Sequence, residues 1–116
     1  MQVFENIISD RGSKYAVSGG PCDTPEAAKQ FIKDLCRKKK FAKATHNTWG
    51  LVIDNNPHKN DDGESGAGNI IVKMLEREGL TNHIIVVTRW YGGKHLGGDR
   101  FRHVQDAVSY YFKQIT

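Results

Sequence analysis

Cysteine is scarce in this 116-residue chain: Cys22 and Cys36 are the only two, and no C-x-x-C pair exists. That count argues against both a disulfide framework and a cysteine-rich zinc site. Long apolar runs are missing too. The longest purely aliphatic stretch, Ile84-Ile85-Val86-Val87, falls far short of the roughly 20 residues that a membrane-spanning helix needs. The opening Met1-Gln2-Val3-Phe4-Glu5-Asn6 lacks the basic and apolar regions of a signal peptide. No repeat, low-complexity tract or linker divides the sequence, so one cytoplasmic domain over residues 1–116 is expected.

Catalytic signatures are equally thin. There is no G-x-S-x-G, and neither cysteine sits in a glycine-flanked or activated context. His58, His83, His95 and His103 show no H-E-x-x-H or H-x-H spacing. The glycines of Asp61-Asp62-Gly63-Glu64-Ser65-Gly66-Ala67-Gly68 are not followed by the Lys-Ser/Thr of a P-loop, and the alternating Asp/Asn of a calcium loop is absent. Neither a metal nor a cofactor is expected, and no catalytic residue is assigned.

What is present is an ordinary globular composition with a basic bias. Apolar residues make up 38% and charged residues 26%, and 17 Lys+Arg against 13 Asp+Glu leave a formal charge of +4. The bias is concentrated. Lys29, Lys33, Arg37, Lys38, Lys39, Lys40 and Lys43 face only Asp34 between positions 29 and 43, a local balance of +6. Lys29, Lys33, Arg37 and Lys40 are expected on the first helix, opposite its apolar stripe. They form a candidate surface for an acidic protein or for RNA phosphate; the alternative is a plain solvated face.

Periodicity outlines the elements. Gln2 to Ile8 and Ser13 to Ser18 read as extended chain, the second with Tyr15 and Val17 on one face. A helix begins near Asp23 or Thr24 with Pro25 at its first position, and Ala27, Ala28, Phe31, Ile32, Leu35 and Cys36 form its stripe. From Thr45 to Asp54 the period becomes two, with Trp49, Leu51 and Ile53 on one side and His46, Thr48 and Val52 on the other. Asn55 to Gly63 reads as a polar loop. A second helix is expected from about Ser65 to Glu78, with Gly79 as its C-terminal cap. His83 to Trp90, rich in β-branched residues, reads as a central strand buried on both faces. Asp99 is expected to cap a last helix whose inward face is Phe101, Val104, Val108, Tyr111, Phe112 and Ile115. The sum is an α/β two-layer sandwich, a roughly four-stranded mixed sheet with three helices on one face.

Three segments carry chemistry-bearing residues. In Asp61–Gly68, Glu64 and Ser65 are expected to cap the second helix while the glycines permit a tight turn; the alternative is a ligand site at a helix start. His46 and Asn47 open the third extended segment. Arg89-Trp90-Tyr91 precedes a stretch with four glycines in eight residues that also holds Lys94, and these residue types suit interface hot spots and base stacking. His46, Asn47, Asp62, Glu64, Arg89, Trp90, Tyr91 and Lys94 are therefore the candidate loop-tip binding cluster. The enzymatic alternative is a small hydrolase, with His46 as general base and Asp62 or Glu64 as acid or cation ligand.

Five linked pieces carry a family resemblance: Ile8-Ser9-Asp10-Arg11-Gly12-Ser13; Ala44-Thr45-His46-Asn47; Asp61-Asp62-Gly63-Glu64 with Gly66-Ala67-Gly68; Val86-Val87-Thr88-Arg89-Trp90-Tyr91-Gly92-Gly93; and Leu96-Gly97 followed by Asp99-Arg100-Phe101. In order and spacing the chain resembles the Impact-type domain of eukaryotic Impact proteins and bacterial YigZ-like proteins, and it is closer to the eukaryotic branch. The resemblance implies a fold like domain 2 of ribosomal protein S5. It also implies a translation-linked role in which the partner is a regulatory factor, an aminoacyl-tRNA synthetase or a ribosome-associated protein. RNA or tRNA binding is the alternative. Full-length Impact proteins carry a further N-terminal domain and YigZ-like proteins a C-terminal one, for which 116 residues have no room, so a stand-alone binding module is expected.

Overall fold

A computed structural model describes all residues from Met1 to Thr116. The elements run β1 (Gln2–Asp10), β2 (Ser13–Pro21), α1 (Pro25–Leu35), α2 (Lys39–Ala42), β3 (His46–Ile53), β4 (Asn56–Asn60), α3 (Ala67–Glu78), β5 (His83–Trp90) and α4 (Asp99–Ile115). The strands form one sheet in the order β1-β2-β5-β3-β4, and every neighbouring pair is antiparallel. β5 is the middle strand, as its unbroken apolar run requires.

Strand alternation sorts the core into two halves. Tyr15, Val17, Val52, Ile85 and Val87 face α3 and α4, where they meet Ile71, Leu75, Val104, Val108 and Tyr111. Their neighbours Ala16, Leu51, Ile84 and Val86 face the other way, onto Ala28, Phe31 and Leu35 of α1 and Phe41 of α2. Helices thus cover both faces. The expected two-layer arrangement with all helices on one side is corrected to three layers, because a sheet apolar on both faces leaves neither one free for water.

Several local expectations hold. Thr24 caps α1, its hydroxyl accepting from the Ala27 amide at 3.0 Å, with Pro25 just inside. Gly79 ends α3 in the left-handed conformation. Others are corrected. The stretch read as a polar loop contains β4, which reverses from β3 through Asp54 and Asn55, both at positive φ (49° and 64°). Such a two-residue reversal fits the right-handed twist of paired strands. β4 is a polar edge strand containing Pro57, and that composition hides it from a hydrophobic pattern. Neither Glu64 nor Ser65 caps α3. Asp61 does, its carboxylate accepting from the amides of Gly66 (3.0 Å) and Gly68 (2.8 Å). α4 starts after Gly98 without a side-chain cap, and Asp99 instead pairs with Arg11 and Arg102. The first helix ends at Leu35, so Arg37 lies in the following turn and Lys40 on α2.

Antiparallel pairing has one functional consequence. The C-terminal end of β5 lies between the N-terminal ends of β2 and β3, with Arg89 level with both Tyr15 and His46. Chain entering the sheet twice and leaving it once therefore converges at one rim. Gly92, just past β5, passes so close to the β1–β2 turn that a Cβ would fall 1.9 Å from the Gly12 carbonyl carbon. We expect Gly92→Ala to cost at least about 2 kcal/mol, because the obstructing atoms are backbone and cannot rotate away; chemical denaturation measures it.

Candidate functional site

The rim is built around a buried ion pair. Arg89 and Glu64 are 6% and 4% exposed, and Nη1 of Arg89 donates to both Glu64 oxygens at 3.2 and 3.1 Å. A second guanidinium, that of Arg100 in the first turn of α4, stands 3.7 Å from the same carboxylate, and Nε2 of His46 stands 3.9 Å from it. Nη2 of Arg89 donates to the Ser13 hydroxyl at 3.4 Å, and that oxygen also accepts from the Gly92 amide at 3.2 Å. The Arg89 guanidinium lies 5.9 Å from the ring centres of both Tyr15 and Tyr91, within cation–π range.

Loop chemistry sets the acidic side. The Asp61–Gly66 turn uses positive φ at Asp62 (48°), Gly63 (86°) and Gly66 (88°). A Cβ on Gly63 would lie 3.1 Å from the His46 imidazole, so glycine serves both the backbone and the packing there. Nδ1 of His46 donates to the Asp62 carbonyl at 2.8 Å, and the Asn47 amide donates to the Asp62 carboxylate at 2.7 Å. Beside this, Asp10 accepts from His103 at 2.8 Å and from Arg11. The Arg11 guanidinium, with His103 second, holds the Asp10 carboxyl down to about 2. Burial pushes the Tyr15 phenol up to about 12, so it keeps its proton at neutral pH.

Five of the eight loop-tip candidates meet here: His46, Asp62, Glu64, Arg89 and Tyr91. The other three do not. Asn47 faces the α1–α2 layer, where its side chain donates to the Phe41 carbonyl (3.1 Å) and accepts from Thr88 (2.8 Å). Trp90 points the same way, its indole N–H donating to the Lys40 carbonyl at 2.9 Å and its ring set edge-on to Phe41. Residues 89 and 90 are strand neighbours and so project to opposite faces. Lys94 is exposed in the glycine-rich loop. Ser13, Tyr15, Arg100 and His103 join the cluster without having been singled out for a role. Ser13 and Arg100 lie inside the motif pieces quoted above, but no local pattern ties them to Glu64. Of the basic candidates, Lys29, Lys33, Arg37 and Lys40 are all exposed on the α1–α2 side, where Arg37 pairs with Asp34 and Lys40 with Glu5.

These features define a single-sheet α/β domain with a polar rim and a separate basic layer. The Impact N-terminal domain model matches residues 11–112, and the chain belongs to that family. It is 36% identical to Protein IMPACT of Mus musculus and 35% identical to that of Homo sapiens over 107 residues, 87% of this chain. The Schizosaccharomyces pombe homolog is 35% identical over 109 residues. The chain covers 33–38% of these relatives, about a third of their length. A solved structure described only as a hypothetical protein shares the fold at a TM-score of 0.84, with 24% identity, covering 97% of this chain and 57% of the other. A second, the two-domain translational regulator Yih1, aligns at a TM-score of 0.52 with 29% identity, covering 89% of this chain and 42% of that one. No helix is long and apolar enough to cross a membrane.

Two outcomes follow from the geometry. Glu64→Ala leaves the Arg89 guanidinium buried without its counter-ion and is expected to cost about 3–5 kcal/mol by urea denaturation, with a pair of apolar replacements at both positions costing less. A carboxyl held below its unfolded value near 3.9 contributes stability above that pH and loses it as pH falls toward about 2. Asp10→Asn should therefore flatten the acid-unfolding profile between about pH 4 and pH 2, followed by circular dichroism.

Proposed function

We propose that this chain is a non-catalytic binding module that acts on the translation machinery through protein contacts in the cytoplasm. Its partner would be a regulatory factor, an aminoacyl-tRNA synthetase or a ribosome-associated protein. Membership of the Impact family and the likeness to Yih1, described as a translational regulator, support the translational setting. The observation that carries the reading is the α1–α2 layer. All seven cations between Lys29 and Lys43 are exposed, and Lys29, Lys33, Lys38, Lys39 and Lys43 have no acidic partner within the chain. A predominantly positive surface of this kind draws an acidic partner from a distance, and the attraction weakens as salt rises.

The rim supplies a second surface, with Tyr91 exposed over Arg89 and with His46 and Arg100 beside it. Its chemistry supports binding over catalysis. Both Glu64 oxygens are held by Arg89, so that carboxylate is committed to its ion pair, and the His46 Nδ1 proton ties the ring to the Asp62 carbonyl. RNA is the second reading for the basic layer. Trp90, the aromatic that would stack a base there, is instead engaged by Phe41 and by the Lys40 carbonyl, which favours a protein partner.

The test is charge reversal. Lys33→Glu with Arg37→Glu should lower capture of the partner by about tenfold at low salt and blunt its salt dependence. Capture from a host extract followed by mass spectrometry should recover a translation component. An RNA anisotropy titration separates the readings: sub-micromolar binding with a steep salt slope would replace the protein-partner proposal with the nucleic-acid one.

A further inference from the structure

We propose that the rim holds a binding site for a phosphate group, seated between Arg89, Arg100 and Tyr15 and covered by Tyr91. This names the chemistry recognised by the rim half of the reading above and rests on that half; it is independent of the basic layer.

The starting point is an imbalance of donors. Nε of Arg89, Nε of Arg100 and the hydroxyl of Tyr15 are all buried, and none has a hydrogen-bond partner. Buried polar atoms almost always find one, since leaving a donor dry costs its full desolvation penalty. Here three stand around a single ion pair: both guanidiniums reach Glu64, and Arg89 lies 5.9 Å from the Tyr15 ring. The carboxylates of the rim have other partners, that of Asp62 in the Asn47 amide. Both Glu64 oxygens are taken by Arg89. Asp10 is held by Arg11 and His103, Asp99 by Arg11 and Arg102, and Asp61 by two backbone amides. At the buried pair itself, two guanidiniums face the one carboxylate of Glu64.

The shape of the donor set selects the anion. The three donors come from three different elements, β5, β2 and α4, and not from one guanidinium. A planar carboxylate pairs edge-on with a single guanidinium, whereas a tetrahedral phosphate presents oxygens in several directions. The N-terminus of the 17-residue α4 adds its partial positive charge, and no side chain caps it. Because burial holds the Tyr15 phenol in its protonated form, it remains a donor.

Access lies on the glycine-rich side. Tyr91, 43% exposed, stands over Arg89. The loop beyond it is pinned by buried Leu96, while Gly93, Gly97 and Gly98 face open space. Arg100, held to Glu64 only at 3.7 Å and with its side chain 37% exposed, is placed to swing onto an entering oxyanion.

The test is a ¹⁵N NMR titration of the full chain with inorganic phosphate at constant ionic strength. A saturable shift is expected at the Arg89 Nε–H and at the amides of Tyr91, Gly92 and Arg100. Arg100→Ala should weaken binding by about tenfold, and Tyr15→Phe, which removes only an unpartnered hydroxyl, by a smaller factor. Glu64→Gln should tighten it by removing the resident negative charge. Lys33→Glu with Arg37→Glu must leave it unchanged, which separates this site from the partner surface on α1–α2. An unmoved Arg89 Nε–H, shifts confined to the lysines of α1 and α2, or equal affinity in Arg100→Ala would overturn the site. Equal binding of acetate would overturn its selectivity for a tetrahedral anion.

Discussion

A carboxylate and a guanidinium, each more than nine-tenths buried, meet at 3.1 Å where three strand ends converge. Removing two charges from water is costly, and their attraction offsets that cost only when geometry is good and the remaining polar atoms are supplied with partners. Glu64 therefore ties together pieces far apart in sequence. It requires the Asp61–Gly66 turn to close with three positive-φ residues, β5 to end level with the start of β3, and the β1–β2 turn to bring Ser13 beneath the guanidinium. Much of the rim's remaining geometry is arranged around that pair, including the Gly12–Gly92 approach and the His46 imidazole above Gly63.

The sheet separates two kinds of surface. On the α3–α4 side, the rim is polar and partly dry, with buried donors on Tyr15, Arg89 and Arg100 that lack a partner. On the α1–α2 side, the charges are solvated and mostly positive, suited to steering and not to fixed geometry. Between them the hydrogen bond from Asn47 to the Phe41 carbonyl and the Trp90–Phe41 contact lock α2 to the sheet. Recognition-type residues that look like one cluster in the sequence are thus shared between the polar rim and the packing of a helix. This division keeps the solvated charges of one layer apart from the buried ion pair of the other.

How much of this could be read from the chain follows from the range of the interactions involved. The Thr24–Pro25 start of α1, the Gly79 end of α3, the alternation of β3 and the burial of β5 depend on residues within a few positions of one another, and periodicity reports them. β4 escaped because an edge strand bonds through its backbone and here carries polar side chains and Pro57, leaving no apolar alternation to detect. The expected cap of α3 at Glu64 and Ser65 fails because the spacing of polar residues before a helix does not say which one turns toward the amides. Asp61 does so, and Glu64 is released for a partner 25 residues away.

Local pattern, charge placement and the five linked motifs of the sequence were by themselves enough to specify an α/β domain of the Impact family with a basic segment and a set of rim candidates. Only tertiary structure decided that helices cover both faces, that the sheet is wholly antiparallel, and that Arg89 and Trp90 part company. The same holds for Arg100 and Tyr15, which joined Glu64 although nothing nearby in the chain points to it. The physical reason is that antiparallel register and helix docking are set by the summed burial of many side chains. A buried charge finds its counter-ion only after that register exists, at a separation in sequence that no local pattern encodes.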